Sequence, residues 1–385
     1  MSGYSFKGYR RPDGTVGVRN HVLLLPVDGI SNRVAENVAH MIHGTLALKH
    51  AYGDLQFGKD LDLFFRTMIG AGSNANVASV IVIGMEPVWM DRIASGIEAT
   101  RKPVARFTIR HVGDLATIEK VARKAQEFVY AASEIKTQRA RLADIIISTK
   151  CSESDTTNGL AANPIVGTVV EHAIDMGSTV IFGETSELTG VEQLIADRIE
   201  SPDEREKFWK LYKEYVGFMA SQKAELLGSQ PSQSNIFGGL STIEEKALGN
   251  IAKIGRAPIK GVLDSAESPP GKGLWFMNTP SAAAEVLTLF SAAGSVLCIV
   301  PTGQGNIIGN PLMPVIKLTA NPETAKTMSE HFDVEFSAVL RQHTSIEQAG
   351  NELMDLLLRV AAGRVTASEV LNHTEFVPVK LFRSA

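Results

Sequence analysis

Residues 143–164 read ADIIISTKCSESDTTNGLAANP, and residues 178–190 read STVIFGETSELTG. Each stretch opens with a short apolar run rich in β-branched residues, Ile145–Ser148 in the first and Thr179–Phe182 in the second, which predicts a buried strand. Between the two runs, Pro164–Met176 has helical spacing and is followed by a glycine, a residue typical of helix ends. The two stretches therefore predict a strand–helix–strand unit with parallel strands.

Both predicted strands lead into loops that are dense in reactive side chains. Lys150, Cys151 and Asp155 follow the first strand, and Glu184 and Glu187 follow the second. Ligands of parallel sheets bind outside the carboxyl ends of the strands, so we expect both loops to face one crevice. We take that crevice as the predicted active site.

The same alternation of strands and helices continues on both sides of this unit. Apolar runs such as Val22–Pro26 and Val77–Gly84 alternate with helical segments, which predicts an α/β protein with parallel sheets. The charged segment Glu134–Arg141 is the expected boundary between an N-terminal α/β domain, residues 1–135, and a larger C-terminal domain, residues 136–385.

Three features of the second half bear on the site. Residues 202–227 predict a long amphipathic helix whose aromatic side chains pack in the core or at an interface. Residues 228–239 predict a loop of the kind that crosses a sheet or covers a site. Ser241 with Glu244 predicts a capping box, which explains Glu244 and leaves Glu245 without a structural role.

Composition and charge narrow the class of protein. The chain has 385 residues, 44% of them hydrophobic and 21% charged, and a net charge of −4, which is ordinary for a globular protein and argues against nucleic-acid binding. The N-terminal residues lack the apolar region of a signal peptide, and the apolar runs are too short to span a membrane. Two cysteines cannot form a disulfide framework, so we expect Cys151 and Cys298 to be reduced thiols in a cytoplasmic protein.

The glycines of residues 303–309 resemble a dinucleotide-binding fingerprint only loosely. Their spacing is GxGxxxG, and prolines follow where a helix should begin, so NAD binding is not expected. After a buried strand, such a loop can present backbone N–H groups to an anion, and Thr302, Gln304 and Asn306 can add hydrogen bonds. The alternative is a turn that only requires glycine.

Cys151 and the two glutamates are the candidate metal ligands within the crevice. Cys151 lies in a polar loop, which favours a nucleophile or a soft metal ligand over a buried apolar role. Glu184 is nearer the strand end and is the better ligand, whereas Glu187 fits a helix N-terminus, where the dipole stabilises a carboxylate. A mixed sulfur and carboxylate set suits Fe(II), Mn(II) or Zn(II).

Arg19 and His21 stand at the start of an early predicted strand. The amino ends of parallel strands usually face away from the ligand crevice, so a surface ion pair for Arg19 and a structural histidine are the plain interpretation. A part in the reaction is the alternative.

Six stretches together resemble one known family. They are GYRRPDGTVGVRNHVLLLP (8–26), STKCSESDTTNGLAANP (148–164), FGETSELTG (182–190), GGLSTIEEKALGNIAKIG (238–255), GLWFMNTPSAAAE (273–285) and PTGQGNIIGNPLMPVIKLTANP (301–322). Across nearly the whole chain they resemble the altronate/galactarate dehydratase family. The resemblance implies a dimerising N-terminal α/β domain, a larger Rossmann-like C-terminal domain with a parallel sheet, and a divalent metal, Fe(II) first.

Two departures from the family pattern narrow the resemblance. The chain starts directly at GYRRPDG, without the small β-rich domain that usually precedes it, and cysteines of many relatives are replaced at 27–29, 52–54 and Met85. Both features are similar to members in which the β-rich domain is a separate small α subunit and the substrate carries a sulfonate. The missing cysteines weaken the expectation of a cysteine-rich iron site in the N-terminal half.

The resemblance implies a metal-dependent lyase, the large subunit of an enzyme that performs β-elimination on a dianionic 2-hydroxy acid. The first expectation is (2R)-3-sulfolactate giving pyruvate and sulfite; the alternatives are a sugar-acid dehydratase giving a 2-keto-3-deoxy acid, and a non-catalytic anion-binding subunit. Lys150 is the first choice for the base that removes the C2 proton, and His21 the second. The expected metal ligands are Cys151, Glu184 and Glu245, and the expected substrate contacts are Arg19, Ser154, Asp155, Thr302, Gln304, Asn306 and Lys317.

Overall fold

The computed structural model describes residues 4–53, 55–223 and 231–385. Its strands are β1 (Ser5–Arg10), β2 (Val16–Gly17), β3 (His21–Pro26), β4 (Thr45–Ala47), β5 (Val77–Gly84), β6 (Val104–Thr108), β7 (Gln138–Arg141), β8 (Ile146–Thr149), β9 (Thr179–Phe182), β10 (Ile259–Leu263), β11 (Gly273–Met277), β12 (Leu297–Pro301), β13 (Val315–Thr319) and β14 (Val334–Glu335).

The α-helices are α1 (Asn32–Met41), α2 (Gly58–Ser73), α3 (Pro87–Glu98), α4 (Asp114–Glu134), α5 (Asn163–Asp175), α6 (Glu192–Arg198), α7 (Pro202–Ser221), α8 (Gln233–Phe237), α9 (Ile243–Ile251), α10 (Ala283–Ala292), α11 (Pro322–Thr327), α12 (Ser337–Leu340), α13 (Ile346–Ala361) and α14 (Ala367–Val370). Short 3₁₀ turns include Thr185–Leu188 and Ala252–Ile254, and Asn158–Ala162 forms a π-helical turn that leads into α5.

The larger sheet has seven parallel strands in the order β10-β11-β9-β8-β12-β13-β14. The central pair β8 and β9 is joined through α5, with Ile146 opposite Thr179, so the predicted strand–helix–strand unit is confirmed. The predicted limits of this unit are off by one residue at β8 and at α5. The carboxyl ends of β8, β9 and β12 lie side by side, and this edge carries the loops described below.

The smaller sheet has four parallel strands in the order β4-β3-β5-β6. Alternate residues of its central strands enter two different cores: Leu23 of β3 packs with α2 and α3, and Leu24 packs with α1 and α4. Every residue of β5 is buried, which is why its sequence is apolar throughout rather than alternating. The α/β class predicted from the sequence is therefore correct.

The charged segment predicted as a domain boundary contains a strand. β7 pairs antiparallel with β1, and β1 pairs with β2, in a separate three-stranded sheet. β1 and β7 are not predicted from the sequence because both are largely polar: only two of the six residues of β1 and one of the four residues of β7 are buried. The division into residues 1–135 and 136–385 stays a prediction.

Two predicted features of the second half are changed. The long amphipathic helix is α7 and ends at Ser221, with Phe208 fully buried; residues 224–230, which include the end of that predicted helix and the start of the predicted loop, lie outside the described residues. The capping prediction for Ser241 and Glu244 is wrong by one residue, because Thr242 caps α9 and accepts from the backbone N–H of Glu245.

A search of the helices in the described ranges found none that combines the length and apolar character needed to cross a membrane.

Candidate active site

Three loops meet at the carboxyl edge of the larger sheet. The loop after β8 pairs with the loop after β12 through a bridge between Ser152 and Thr302. It also meets the loop after β9, because the backbone N–H of Cys151 lies 3.3 Å from Glu184 Oε2. The crevice predicted from strand order thus brings Cys151 and Glu184 together.

A buried cluster of acidic groups forms where these loops meet. One ligand atom each from Cys151, Glu184 and Glu187 lies within 4.8 Å of the others. The thiol of Cys151 donates to Glu187 Oε2 at 3.3 Å and to Asn250 Oδ1 at 3.0 Å. Glu184 has a left-handed backbone, φ 72°, and the 3₁₀ turn that begins after it carries Glu187 back toward the same point.

Three buried lysines surround the two carboxylates. Lys253 Nζ lies 2.6 Å from Glu184 Oε2, and Lys150 Nζ lies 3.4 Å from Glu184 Oε1. Lys246 Nζ lies 3.2 Å from Glu187 Oε1. Charged groups withdrawn from water are tolerated only when they are paired, so this arrangement accounts for the burial of all five side chains.

Burial and neighbouring charges shift the pKa values of the acidic groups in the cluster. Burial, together with the carboxylates of Glu184 and Glu187, raises the pKa of the Cys151 thiol to about 12. Burial also opposes ionisation of Glu187, but Lys246 and Lys253 outweigh it and hold the pKa of Glu187 below its usual value. A protonated thiol is a poor nucleophile, so Cys151 is not activated for nucleophilic attack in this setting.

The donor set can hold a metal ion. It combines one sulfur with two carboxylates, and the Oδ1 of Asn250 stands within 3.0 Å of the sulfur. Glu184 Oε1 is buried and has no hydrogen bond, although Lys150 approaches it. A cation at this position would favour the thiolate, since bound metal reverses the local effect on ionisation. The residues present therefore fit a metal that accepts mixed sulfur and oxygen ligands.

A cavity of about 230 Å³ adjoins the cluster. Two of the three lysines contribute to its wall. Its lining includes Lys150, Cys151, Glu187, Asn235, Lys246 and Ser281. Ammonium groups and hydroxyls around a cavity of this size suit a small anionic molecule.

The wall of this cavity is stabilised by hydrogen bonds of three residues, Ser154, Asp155 and Gln304. The carbonyl oxygen of Ser154 accepts from Asn235 Nδ2 at 2.8 Å, and Gln304 Nε2 donates to the carbonyl of Ser234 at 2.7 Å. Asp155 Oδ1 accepts from the backbone N–H of Thr157 and of Asn158, which starts the π-helical turn. Ser154 lines the cavity, whereas Asp155 is engaged in building the loop.

A second set of hydrogen bonds stabilises the Cys151 loop and comes from Thr302, Asn306 and Lys317. Thr302 Oγ1 accepts from the backbone N–H of Gly305, and Asn306 Nδ2 donates to Ser152 Oγ at 2.7 Å. Lys317 Nζ donates to the carbonyl of Asn306 at 3.0 Å. Burial lowers the pKa of Lys317 to about 8. These three residues connect β12 and β13 to the Cys151 loop through Ser152.

Glu245 stands outside the cluster, although the sequence predicts it as a ligand. Its side chain is exposed and accepts from the backbone and the hydroxyl of Ser241, at 2.8 Å and 2.7 Å. These bonds hold the pKa of Glu245 below its usual value. The structure therefore gives Glu245 the helix-end role that the sequence assigned to Glu244, and Glu187 is the second carboxylate beside Cys151.

Arg19 and His21 lie at the amino end of β3. Arg19 forms a bidentate pair with Glu369, at 2.6 Å and 2.8 Å, and donates to the carbonyls of Val360 and Arg364. Burial and the Arg19 guanidinium lower the pKa of His21 to about 4. Arg19 thus contacts the C-terminal segment, and the backbone N–H of His21 donates to the carbonyl of Asn76 just before β5, which agrees with the plain interpretation of their position.

Replacing Arg19 by Gln is expected to lower stability and to leave catalysis intact. The change removes a partly buried bidentate pair, worth about 2 kcal/mol in the free energy of unfolding. Urea unfolding gives the stability, and steady-state kinetics give KM. An unchanged unfolding midpoint together with a KM raised by about tenfold would instead show that Arg19 contacts the substrate.

The final set of residues expected from the sequence leaves out four members of the cluster, although Glu187 is considered there as a candidate ligand. Glu187 was assigned to a helix N-terminus, and Lys246, Asn250 and Lys253 were given no role. The last three are spaced four and three residues apart, so α9 and the 3₁₀ turn after it present them on one side. A polar stripe with helical spacing inside an otherwise apolar segment is the signal that could have found them.

Two family models match this chain. The model described as "D-galactarate/Altronate dehydratase, C-terminal" covers residues 142–384, and the model described as "D-galactarate dehydratase/Altronate hydrolase, second domain" covers residues 8–133. The two matches together leave out only short segments at the ends and between 133 and 142.

Three curated relatives show the range of similarity. The chain is 55% identical over 387 residues to "(2R)-sulfolactate sulfo-lyase subunit beta" of Chromohalobacter salexigens, with 100% of each chain covered. It is 26% identical to "Altronate dehydratase" of Bacillus subtilis, covering 99% of this chain and 78% of the relative. It is also 26% identical to "Galactarate dehydratase (L-threo-forming)" of Escherichia coli, covering 94% and 74%.

Proposed function

The chain belongs to the D-galactarate/altronate dehydratase family of lyases, and we propose that it cleaves (2R)-3-sulfolactate to pyruvate and sulfite as the large subunit of a two-subunit enzyme. The matches confirm the resemblance drawn from the six sequence stretches. The substrate assignment is supported by 55% identity over the full length to a sulfo-lyase subunit, against 26% to the dehydratases.

The observation that carries this proposal is a small polar cavity, with two lysines in its wall, beside a buried donor cluster. Sulfolactate has a carboxylate at one end and a sulfonate at the other, so its site needs two positive regions. Lys150 and Lys246 both line the cavity, and the Cys151 donor set adjoins it. Hydrogen bonds from ammonium groups to anionic oxygens are among the stronger polar contacts in proteins.

We assign Cys151, Glu184 and Glu187 as the residues that would hold a divalent metal, with Fe(II) the first candidate. Such an ion supplies Lewis-acid polarisation of the substrate's carboxylate and 2-hydroxyl, which makes the C2 proton more acidic. The sulfur ligand separates this set from the all-oxygen sites that Mg²⁺ and Ca²⁺ prefer.

The proposed steps use groups of this chain at both ends of the substrate. Lys150 acts in its neutral amine form: its Nζ takes the C2 proton and becomes an ammonium, the C2 electron pair forms the C2–C3 double bond, and the C3–S bond breaks with its pair leaving on sulfite. Lys246 and the hydroxyl of Ser154 bind the departing sulfonate. The resulting enol of pyruvate takes a proton at C3 to give the keto acid. Asp155, Thr302, Gln304, Asn306 and Lys317 keep the loops in position.

The partner is proposed to be a small α subunit with a β-rich domain. The name "subunit beta" of the Chromohalobacter salexigens protein supports a second subunit, and the dehydratase relatives extend beyond the matched region. We keep as proposals that residues 1–135 form a homodimer contact and that the protein works in the cytoplasm. Two unpaired, buried cysteines support the second of these.

The purified chain combined with its small partner is expected to release sulfite from (2R)-3-sulfolactate in step with pyruvate. Altronate and galactarate should give no 2-keto-3-deoxy acid under the same conditions. Chelation should abolish turnover while circular dichroism stays unchanged, and Fe(II) should restore it. Turnover that persists after complete removal of metal ions contradicts the metal assignment without affecting the substrate assignment.

Sugar-acid dehydration is the second candidate, supported by similarity to two dehydratases across at least 94% of this chain. Elimination of water from altronate or galactarate uses the same C2 proton and the same base, so only the group on C3 differs. Sulfite-free formation of a 2-keto acid from either sugar acid would select this function. Turnover of neither substrate class with the partner present would select a non-catalytic, anion-binding subunit.

A further inference from the structure

Three exposed apolar side chains, Leu160, Phe237 and Leu248, lie on segments that contact one another or the Cys151 loop, and we call them the rim patch. We propose that the rim patch is the docking surface for the small partner subunit, an inference that rests on the proposed function. The patch lies on the π-helical turn before α5, on α8 and on α9, three segments that enclose the substrate loop.

Leu160 and Leu248 line the same open cavity, and the residue after Phe237 contacts the loop that leads to Leu160. A Cβ on Gly159 would lie 3.4 Å from Gly249 Cα, so Leu160 and Leu248 adjoin this close backbone contact, and both line one open cavity. Phe237 is followed by Gly238, whose carbonyl accepts from Thr156 in the same loop as Leu160. The three segments that carry the patch are therefore connected through the loop that contains residues 156–160.

All three apolar side chains are more than half exposed to solvent. In the part of the chain that the structure describes, Phe237 is 88% exposed, Leu160 is 67% exposed and Leu248 is 53% exposed. Single exposed apolar residues are ordinary, but contiguous ones mark surfaces that bind another protein. An aromatic residue of this kind is also a frequent anchor of protein–protein interfaces.

The helix that carries Phe237 is fastened to the substrate loop on its other side. Asn235 is buried; its Nδ2 donates to the carbonyl of Ser154, and its Oδ1 accepts from Lys246 Nζ at 3.0 Å. Gln304 adds a bond to the carbonyl of Ser234. A partner seated on Phe237 would therefore hold the wall of the cavity that carries Ser154 and Lys246.

Two observations indicate which molecule binds the rim patch: the lengths of the relatives and the charges beside the patch. The dehydratases are matched over only 74% and 78% of their length, whereas the sulfo-lyase relative matched end to end is named as one subunit of an assembly. A separate chain is thus the expected occupant. Exposed carboxylates of Glu153 and Glu245 stand beside the patch, so the docking face of the partner should carry basic residues around an apolar centre.

Titration calorimetry of the full-length chain against the partner subunit of the Chromohalobacter salexigens enzyme tests the proposal. Phe237→Ser and Leu160→Ser are each expected to raise the Kd for the partner subunit by at least about tenfold, because each removes an apolar contact from the interface. Val370→Ser is the matched control, since Val370 is 69% exposed and lies on α14. Partner-dependent sulfite release should fall with binding, and metal content and circular dichroism should match the wild type.

The outcomes separate the docking surface from the function. Unchanged Kd in both variants, with the wild type binding the partner, overturns the rim patch and leaves the proposed function intact. Weakened Kd in both variants, with no sulfite from the wild-type complex, supports the patch and overturns the function. A change in the chain's own oligomeric state in light scattering, with partner binding retained, would make the patch a contact between two copies and would also overturn the proposal.

Discussion

Replacing Lys150 by Met is expected to lower kcat/KM for sulfolactate cleavage by about 10³-fold, the usual loss when a general base is removed. Lys150 is 2% exposed, lines the cavity and lies 3.4 Å from Glu184, which keeps Lys253 as a closer partner. Methionine fills a similar volume, so the fold and the metal content should persist. Single-turnover kinetics with pyruvate detection measures the effect.

Lys150→Arg distinguishes a base from a fixed positive charge. Arginine keeps the charge near Glu184, but its guanidinium does not give up a proton in proteins. Both variants should therefore be equally slow if Lys150 transfers the proton. Recovery of activity in the arginine variant to within about tenfold of wild type would assign Lys150 to electrostatic binding and would leave the base unidentified.

Replacing Glu184 by Ala is expected to destabilise the fold by about 3–5 kcal/mol, because removal of one partner leaves buried charges uncompensated. Glu184 is fully buried and pairs with both Lys253 and Lys150. The same change removes a donor from the cluster, so metal content after reconstitution should also fall. Urea unfolding followed by circular dichroism gives the first quantity, and elemental analysis gives the second.

Glu200→Ala is the matched control for this substitution. Glu200 and Lys260 form a pair at 2.5 Å, but both side chains are largely exposed to solvent. Exposed pairs contribute little, so the free energy of unfolding should change by no more than about 1 kcal/mol. Equal effects at Glu184 and Glu200 would show that the buried network does not stabilise the fold in the way described.

The sequence predicted most reliably what depends on local pattern. β5 and β9 have the limits that their sequences predict, because each is a continuous buried run. The convergence of Cys151 and Glu184 also followed from a general property of parallel sheets, that their loops share one edge. These features needed no knowledge of distant contacts.

The remainder depends on contacts between segments that are distant in sequence. Asn250 and Lys253 reach Cys151 across about a hundred residues, so only the packing of α9 against the sheet edge reveals them. Glu187 and Glu245 were interchanged because each stands near a helix start, and sequence alone does not show which carboxylate turns inward. The pairing of β1 with β7 was missed because its members are separated by the whole smaller sheet.

Lys253 should allow the chain to fold before a metal ion binds. Its ammonium group stands among Cys151, Glu184 and Asn250, where it balances negative charge that a bound cation would otherwise have to neutralise. Small zinc domains collapse without their ion because nothing replaces that charge. Here the polypeptide is expected to reach its final shape first and to bind the proposed metal ion afterwards. Protein made while that metal is scarce should therefore stay folded and be activated when the metal is added.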